Sequence, residues 1–576
     1  MKPSNNGDSD ITRLPTTDPS TLRCFPWVPP KKLLPRKVFF ELIEELPSGS
    51  VLFPGCKAYE QAIFIGNLLF FMLTPSAVVQ AVTVKEVMMT VKFAVKKKIK
   101  LTIKSGGHSM GGYCLNEGGI VLDISSMNDV VIDKKALVAT IGGGAVWNDI
   151  YRLLSKTDIV AIGGNCPSVG VSAFLLGGGV SPYSRKYGLG IDNLLEMTIV
   201  TASGEIITVK KEDKDPKKKD LFWAVRGGGG GNFGITVEVK VKLHQMVDLN
   251  GKSSNGIIVG GNLTWKLNDP VGKKNFKAMM EVWNSTTWPP EVRGDALWHY
   301  DENNQLLGKM TMVYNGNYDA CMEAIAPLLK FKPERDLKAM HWTEWEVIDG
   351  KVDIFEKKYH HHASFIFGEK SITRKVTDII TNLLQEAIIT ENKDVDCYIL
   401  WHHIGSETTK VKPQDTAFFW RDGFYVFHVK VLWTNSDSEY KVSEFFANCK
   451  KMLNGFALGS KAAYVNYIDP TVENWGKAYY GDNYPKLRRV KKAMDPTGFF
   501  EFTQGIRGAS LGSEAEGQTG SKDENGEQES GEEWIKSYAR SHQYALPTPQ
   551  VLGNPRTVDE VFSNDASLRR SMIGIH

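Results

Sequence analysis

Glycine is concentrated in one stretch of the chain, and this limits what that stretch can fold into. Of the 54 glycines, 24 fall in the 130 residues from Ser105 to Gly234, and 30 fall in the other 446. The spacing shows no Gly-X-Y period, so a collagen-like structure is excluded. Because the intervening sequence is apolar, these glycines indicate backbone positions that need positive φ angles or allow a ligand to approach closely. This stretch is therefore where we look for function.

The overall composition describes an ordinary globular protein. The 576 residues carry 69 Lys and Arg against 66 Asp and Glu, a net charge of +3, which argues against a nucleic-acid-coating protein. Hydrophobic residues make up 42% of the chain, enough for a large core, and the length suggests more than one domain. The seven cysteines include no CxxC pair, so neither a disulfide framework nor a zinc site is indicated. The run His360–His362 predicts no metal site, because neighbouring side chains on a strand point to opposite faces.

The sequence predicts neither a secretory signal nor a membrane span. The first 23 residues are polar and lack an apolar core segment, so a cytoplasmic location is favoured over secretion. The apolar stretch Ala62–Val82 is long enough to cross a bilayer, but it contains Asn67, Pro75 and Gln80. We therefore expect a buried helix followed by a turn in this stretch.

Changes in sequence texture divide the chain into five parts. We expect an N-terminal arm over residues 1–49, a mixed α and β domain over 50–244, and a domain of antiparallel sheet with helices on one side over 245–460. A compact aromatic-rich segment over 461–507 and an acidic disordered tail over 508–576 follow. Hydrophobic periodicity predicts helices over 85–97, 145–154, 376–389 and 443–453, and strands over 99–103, 120–124, 130–133, 309–314, 396–401 and 424–433.

Two glycine-rich loops, with His108 and Cys166, are candidates for binding a cofactor. The segment Lys104–Gly112 reads KSGGHSMGG directly after a predicted strand, and consecutive glycines let backbone N–H groups converge on a diphosphate. The other interpretation of this loop is a surface turn with an incidental histidine. The segment Gly163–Gly170 places Cys166 before a proline and between glycines, although a buried free cysteine is the ordinary interpretation.

A third glycine run formally matches a dinucleotide-binding motif but lies in the wrong context. The GxGxxG pattern falls on Gly229, Gly231 and Gly234. In a Rossmann fold a helix follows this pattern. Here Ile235 begins a strict alternation of apolar and polar residues, which predicts a strand, so we reject the Rossmann interpretation.

Taken together, these motifs resemble one family. The quoted segments are SGGHS around His108, GGNCPSVGV around Cys166, LGGG at 176–179, RKYG with DN at 185–193, LFWA at 221–224, YVNY at 464–467, YGDN at 480–483 and QGI at 504–506. They resemble the berberine-bridge-enzyme-like oxidases, within the vanillyl-alcohol-oxidase type of FAD-binding protein. The resemblance covers roughly residues 50–507 and implies an α+β fold. This fold has a PCMH-type FAD-binding domain of two α/β subdomains, a substrate domain with antiparallel sheet flanked by helices, and a C-terminal segment that returns to the FAD domain.

The resemblance implies FAD attached by two covalent bonds. A histidine at the position of His108 is bonded to the 8α-methyl group of FAD, and a cysteine at the position of Cys166 is bonded to C6. Imidazole nitrogen and thiolate are both competent nucleophiles toward an electron-poor flavin. Further cofactor contacts are implied for Ser105, Gly106, Gly107, Ser109, Met110, Val169, Gly170, Ile235, Asn483 and Gln504.

The resemblance also implies a base. In the family a tyrosine of a Tyr-x-Asn segment removes the substrate proton while a hydride passes to flavin N5, and this tyrosine maps to Tyr464. A free phenol has a pKa of about 10, so the base needs a cation or a hydrogen-bond donor nearby. Relatives often carry Glu, Asp or Lys on the preceding strand, where this chain has Val426. His428 lies on the same strand face by period 2 and is our candidate for the polar partner, with Asp415 a weaker one.

The expected reaction is an oxidation coupled to O2. Val169, three residues after Cys166, is a small residue at a position that the family associates with oxygen access, which favours an oxidase over a dehydrogenase. We expect a small-molecule alcohol, a phenol or a ring-closing secondary metabolite as substrate, carbohydrate oxidation to a lactone as the runner-up, and a flavin-loaded binding protein without turnover as the contrasting class. No nucleic-acid or membrane partner is expected, and the protein should be a monomer or a weak oligomer.

Overall fold

The computed structural model describes residues 33–247, 251–349 and 358–509. The predicted disorder of the acidic tail, and most of the predicted N-terminal arm, lie outside the described residues. Within them, a four-stranded, a five-stranded and a seven-stranded sheet are each covered by helices.

The four-stranded sheet is formed near the start of the described chain. Its strand order is β1-β2-β4-β3, in which β2, β4 and β3 are parallel and β1 is antiparallel. The elements are α1 (Phe40–Glu45), β1 (Ser50–Leu52), α2 (Lys57–Ile63), β2 (Ala77–Gln80), α3 (Val84–Lys97), β3 (Leu101–Lys104) and β4 (Ile120–Asp123). Helix α3 begins at a capping box in which Thr83 and Glu86 satisfy each other's backbone N–H groups. The first glycine loop leaves the carboxyl end of β3, as predicted.

The five-stranded sheet is antiparallel and contains the other glycine loops. Its order is β5-β6-β10-β8-β9, and β7 pairs separately with β11. The elements are β5 (Val130–Asp133), β6 (Val138–Gly142), α4 (Trp147–Leu154), β7 (Ile159–Val160), α5 (Val171–Leu176), α6 (Ser184–Tyr187), β8 (Leu194–Val200), β9 (Ile206–Lys210), α7 (Pro216–Ala224), β10 (Ile235–Lys242) and β11 (His244–Gln245). Because β10 follows the third glycine run directly, the rejection of a Rossmann turn is confirmed.

The seven-stranded sheet, hereafter the large sheet, is antiparallel throughout. Its order is β15-β12-β14-β13-β17-β18-β16. The elements are β12 (Ile257–Lys266), α8 (Pro270–Ser285), β13 (Val292–Tyr300), β14 (Leu306–Tyr314), α9 (Tyr318–Leu329), β15 (Glu334–His341), α10 (Trp342–Asp349), β16 (Tyr359–Gly368), α11 (Arg374–Leu383), α12 (Ala387–Thr390), β17 (Val395–His403), β18 (Gly423–Trp433) and α13 (Glu439–Asn454). One face, which includes Trp401 and Phe427, is buried in a core with side chains of α8, α11 and α13. The opposite face carries polar side chains.

The chain ends, within the described residues, in a segment that returns to the smaller sheets. It contains α14 (Trp475–Tyr480) and α15 (Tyr484–Met494). Lys491 on α15 is buried and donates hydrogen bonds to the Asn232 carbonyl and to Asp495. These contacts fix the segment against the third glycine loop.

Two local predictions need correction. The stretch Ala62–Val82 contains no long helix, only the end of α2, a 3₁₀ turn at Leu68–Phe70 and strand β2. The loop before Pro75 separates these elements, because proline disfavours helical backbone in the preceding residue. In α3, the helical period predicts Val95 on the same buried face as Val87, Val91 and Ala94, but Val95 is 42% exposed whereas the other three are buried. No helix among the described residues is long and apolar enough to span a membrane.

Candidate active site

The first two glycine loops bring His108 and Cys166 to one shared partner. The hydroxyl of Ser168 lies 2.9 Å from His108 Nε2 and 3.3 Å from Cys166 Sγ. The sequence placed the two predicted attachment residues in separate loops, and the structure joins them through a single side chain. One planar ligand can therefore reach both nucleophiles.

The same loops pack together at backbone distance. A Cβ atom on Gly106 would lie 2.6 Å from the Gly170 nitrogen and 2.8 Å from the Ser168 carbonyl oxygen, closer than non-bonded atoms approach. Gly107 has a φ of +74°, a conformation that glycine adopts without strain. Ser105 Oγ donates a hydrogen bond to the Gly143 carbonyl at 3.2 Å and ties the loop to β6. Glycine is therefore required at position 106 for the two loops to pack together, and the role of these residues as cofactor contacts remains a prediction.

Burial and a nearby cation set the protonation of the two candidate attachment residues. Burial and the charge of Lys430 lower the pKa of His108 to about 4, so the imidazole is neutral and nucleophilic at pH 7. Burial raises the pKa of the Cys166 thiol, although hydrogen bonds from Ser168 and Val169 and the charge of Lys430 oppose this. His108 is therefore ready to attack an electrophile, whereas Cys166 must first lose a proton.

Tyr464 is the best-defined polar group of the site. It is 2% exposed, and its oxygen accepts hydrogen bonds from the Gly179 and Val180 backbone N–H groups at 3.0 and 3.2 Å and from Asn466 Nδ2 at 3.0 Å. Burial raises the pKa of Tyr464 to about 12, and these three donors act in the opposite direction because they stabilise the phenolate. The arrangement can hold a negative charge on the tyrosine oxygen.

His428 lies on the polar face of the large sheet, as its spacing predicts, but it does not contact the Tyr464 hydroxyl through a hydrogen bond. Its Nε2 lies 2.9 Å from His362 Nδ1, and its ring stacks on Tyr467 with centroids 4.3 Å apart. Burial and the charge of Lys430 hold the pKa of His428 well below its usual range, so the ring is neutral. Its part in catalysis remains a prediction.

Lys430 is a cation that the sequence reasoning did not assign to the site. It is 9% exposed, lies two residues beyond His428 on the same face of β18, and its Nζ is 5.4 Å from the centroid of the Tyr398 ring. Its charge lowers the pKa of His108 in the first glycine loop. Because side chains two residues apart on a strand share a face, the spacing that places His428 on this face also places Lys430 there.

A second group was missed altogether. His402 Nε2 lies 2.9 Å from the hydroxyl of Tyr467, and His402 Nδ1 lies 2.9 Å from Asp295 Oδ2. Arg293 pairs with the same carboxylate. These residues come from β13, β17 and the C-terminal segment, so no local pattern in the sequence connects them.

The other residues predicted to contact the cofactor lie in several different elements of the protein. Val169 and Gly170 lie in the second loop, and a Cβ atom on Gly170 would lie 2.7 Å from Ser105 Oγ. Ile235 is buried at the start of β10. Asn483 donates hydrogen bonds to the carbonyls of Pro413 and Thr416, and Gln504 donates one to the Asp469 carbonyl, so both side chains hold protein backbone. Their role as cofactor contacts remains a prediction.

Two buried arginines join the large sheet to the smaller ones. Arg185 donates to the carbonyls of Trp288, Val292 and Ile404. Arg421 forms a bidentate ion pair with Asp192, at 2.8 and 2.9 Å. Arg185 and Asp192 belong to the RKYG and DN segments, so these motif residues fix the polar face of the large sheet over the glycine loops. No group of His, Cys, Asp and Glu suited to a metal ion occurs in the part of the chain that the structure describes.

Comparison with known proteins shows which families and folds this chain is similar to. Residues 75–210 match the family described as FAD binding domain, and residues 463–507 match berberine and berberine like. The xylooligosaccharide oxidase of Thermothelomyces thermophilus is 28% identical over 457 residues, 76% of this chain and 88% of that protein. The reticuline oxidase of Papaver somniferum is 24% identical over 469 residues, 75% of this chain and 83% of that protein. The solved structure of Physcomitrella patens BBE-like 1, at 24% identity, superposes with a TM-score of 0.69 over 82% of this chain and 99% of that one.

The fold and the matched families define an FAD-linked oxidoreductase with a PCMH-type α+β fold. The two matched family models and the relatives support a berberine-bridge-enzyme-like member of this class. Both the resemblance and the fold class expected from the sequence are therefore confirmed.

Proposed function

We propose that this protein is an FAD-dependent oxidase that carries FAD bonded to His108 and Cys166 and oxidises an alcohol, a phenol or a ring-closing secondary metabolite. The observation that carries the attachment is the Ser168 hydroxyl in contact with both His108 Nε2 and Cys166 Sγ. When bound, FAD supplies a two-electron acceptor at N5 and returns the electrons to O2, giving H2O2. Val169 in the second loop is the small residue that we assign to oxygen access.

We assign the base to Tyr464. Three N–H donors surround its oxygen and stabilise the phenolate, which is the form that accepts a proton. Beside Tyr464, the ring of Tyr467 stacks on His428 of the polar face of the large sheet, and His428 stacks in turn on His362. Planar rings on this face support an aromatic substrate that stacks on them.

Carbohydrate oxidation to a lactone is the second candidate. It is supported by the similarity to the xylooligosaccharide oxidase and by the same ring-lined face, because sugar rings also pack on aromatic side chains. A flavin-loaded binding protein is the third candidate, and kinetics separate it from the other two.

The attachment is tested by acid denaturation. We expect the flavin to stay with the precipitated wild-type protein and with each of the variants His108→Ala and Cys166→Ala, and to be released only from the double variant. Release of flavin from the wild type would overturn covalent attachment, and release from one single variant would leave only one bond.

The reaction is tested by anaerobic stopped-flow reduction with a panel of aromatic alcohols, phenols and oligosaccharides. Tyr464→Phe should lower the rate constant of flavin reduction by about 10²–10⁴-fold, because the proton acceptor is lost. Tyr300→Phe, whose hydroxyl donates to the Leu384 carbonyl in the large-sheet region, is the matched control and should leave the rate unchanged. Absence of reduction by every compound in the wild type would favour the binding protein.

A further inference from the structure

The hydroxyl group of Ser168 lies between the two candidate attachment residues. Its oxygen is 2.9 Å from His108 Nε2 and 3.3 Å from Cys166 Sγ. A serine hydroxyl has one hydrogen to donate and two lone pairs to accept, and a neutral imidazole carries its proton on one nitrogen only. The direction of these two hydrogen bonds therefore determines where His108 and Cys166 carry their protons.

Two arrangements of the hydrogens satisfy both contacts, and only one of them leaves both nucleophiles ready to react. In the first, Nε2–H of His108 donates to the Ser168 oxygen, so the lone pair of the ring lies on Nδ1, and the hydroxyl hydrogen donates to Cys166 Sγ. In the second, the thiol donates to the hydroxyl and the hydroxyl donates to Nε2, so Nδ1 and Sγ both carry a proton. Within the described part of the chain Nδ1 makes no hydrogen bond, so no protein donor there competes for its lone pair.

The second glycine loop holds Ser168 in place from both sides. The carbonyl of Pro167 accepts a hydrogen bond from the Asn148 N–H at 2.8 Å, and that of Val169 accepts one from the Trp147 N–H at 3.2 Å. Both donors lie in the first turn of α4. The position of the Ser168 side chain is therefore set by backbone contacts that do not involve its hydroxyl, so we expect the loop to keep its place when the hydroxyl is removed.

Ser168 also gives the strongest support for a negative charge on the sulfur. Burial raises the pKa of Cys166, and the hydrogen bond from the Ser168 hydroxyl opposes this more than any one backbone N–H group of the loop or the charge of Lys430 does. The other titratable groups are Tyr151, which interacts electrostatically with the thiol, and His108, which shares Ser168 with it. Both are neutral at pH 7, because burial raises the pKa of Tyr151 and lowers that of His108. A thiolate at Cys166 therefore depends on Ser168 more than on any other single hydrogen bond.

We propose that Ser168 is a positioning residue that prepares both attachment residues for bond formation. Its oxygen accepts the Nε2–H of His108, which leaves the lone pair on Nδ1, and its hydroxyl hydrogen is donated to the sulfur of Cys166, which favours the thiolate. This inference rests on the proposed attachment of FAD.

The two attachments balance with O2 as the oxidant. At His108 a C–N bond replaces a C–H bond of the 8α-methyl group and the N–H bond of the ring. At Cys166 a C–S bond replaces the C6–H bond of the flavin and the S–H bond of the thiol. Each attachment releases two electrons and two protons, which reduce one O2 to H2O2. Ser168 is not consumed in either reaction, and its part is to hold the two protons where they leave Nδ1 and Sγ free to react.

The two bonds should respond differently to loss of the hydroxyl, because a hydrogen bond to a charged group contributes more than one between neutral groups. Peptide mass spectrometry of the full chain, purified at intervals after induction, follows both bonds separately. Ser168→Ala should slow formation of the bond to Cys166 about tenfold and formation of the bond to His108 less than about threefold. Equal rates of C–S bond formation in Ser168→Ala and the wild type would overturn the inference.

Two further variants separate the hydroxyl from the structure of the loops. Ser168→Thr keeps a hydroxyl at the same position and should form both bonds at the wild-type rate. Ser172→Ala is the matched control, because the Ser172 hydroxyl donates to the Gly143 carbonyl at 2.7 Å and bonds neither attachment residue. It should also form both bonds at the wild-type rate. A loss in either variant like that of Ser168→Ala would mean that the rate reports the structure of the loops, and the inference would fail.

Alkylation of the thiol tests Ser168 even if the proposed attachment fails. In a wild-type protein without covalent flavin, Cys166 is a free thiol, and its thiolate is the form that reacts with iodoacetamide. The alkylation rate, followed by mass spectrometry of the Cys166 peptide, should rise with pH around a midpoint about one pH unit lower in the wild type than in Ser168→Ala, because the hydroxyl stabilises the thiolate. Coincident profiles would overturn the role of Ser168, whereas absence of both covalent bonds from the wild type would overturn the attachment alone.

Discussion

At the scale of single residues, the site is defined by what each polar atom is bonded to. The hydroxyl of Tyr464 faces three N–H donors, and that of Tyr467 faces a histidine nitrogen, although both belong to the segment YVNY. The same residue type thus has two different properties within four positions of the chain. The YVNY motif identifies the two tyrosines, and the neighbours of each hydroxyl determine its acid–base properties.

Asn466 offers a direct test of the surroundings of Tyr464. Its Nδ2 donates to the Tyr464 oxygen at 3.0 Å and lowers the pKa of that phenol, so Asn466→Leu should raise it by about one pKa unit. Because the base acts when deprotonated, the rise of the flavin reduction rate with pH should move to higher pH, and the rate at pH 7 should fall about tenfold. Rate–pH profiles of the wild type and variant measure this shift, and identical profiles would contradict the assignment of Tyr464 as base.

At the scale of elements, the sequence predicted what is local. The strands β5, β10 and β18 and helix α3 follow from periodicity and caps, and the loop with His108 leaves β3 as expected. The cluster of Tyr467, His402 and Asp295 could not be predicted, because β13 and β17 pair in the large sheet while Tyr467 comes from the C-terminal segment. The domain boundaries expected from changes along the sequence, and the cofactor contacts implied by the resemblance, remain predictions.

The contact between the first two glycine loops is an element-scale feature with its own test. A Cβ at position 106 would collide with backbone atoms of Ser168 and Gly170, which cannot move as a flexible side chain can. We expect Gly106→Ala to separate the loops, to reduce FAD incorporation severalfold, and to destabilise the fold by about 1–3 kcal/mol. The flavin-to-protein absorbance ratio and thermal unfolding measure these effects.

Gly455→Ala is the matched control for this substitution. Gly455 follows α13 with a φ of −65°, and no atom lies within 4 Å of its added Cβ. We expect normal flavin content and unchanged or slightly increased stability, since alanine reduces the entropy of the unfolded chain. Equal flavin contents in the two variants would show that the close approach of the loops has no part in cofactor binding.

At the scale of the whole molecule, catalysis requires the polar face of the large sheet to stay fixed over the glycine loops. Arg421, 2% exposed, pairs with Asp192 through two hydrogen bonds and also donates to Thr416 Oγ1. Arg185 spans the same junction from the other side through backbone carbonyls. The two parts of the protein should therefore unfold together, in a single transition.

Arg421→Met should break this junction. It leaves the Asp192 carboxylate without its partner in a largely buried position, and removing one member of a buried pair costs about 3–5 kcal/mol. We expect a lower midpoint in denaturant unfolding. We also expect two transitions, in which the large sheet separates first and the flavin-domain signal is lost later. Lys338→Met is the control, because its pair with Asp336 is 70% exposed on both sides and should contribute less than about 1 kcal/mol. A single transition at the wild-type midpoint in Arg421→Met would show that the arginine does not hold the two parts together.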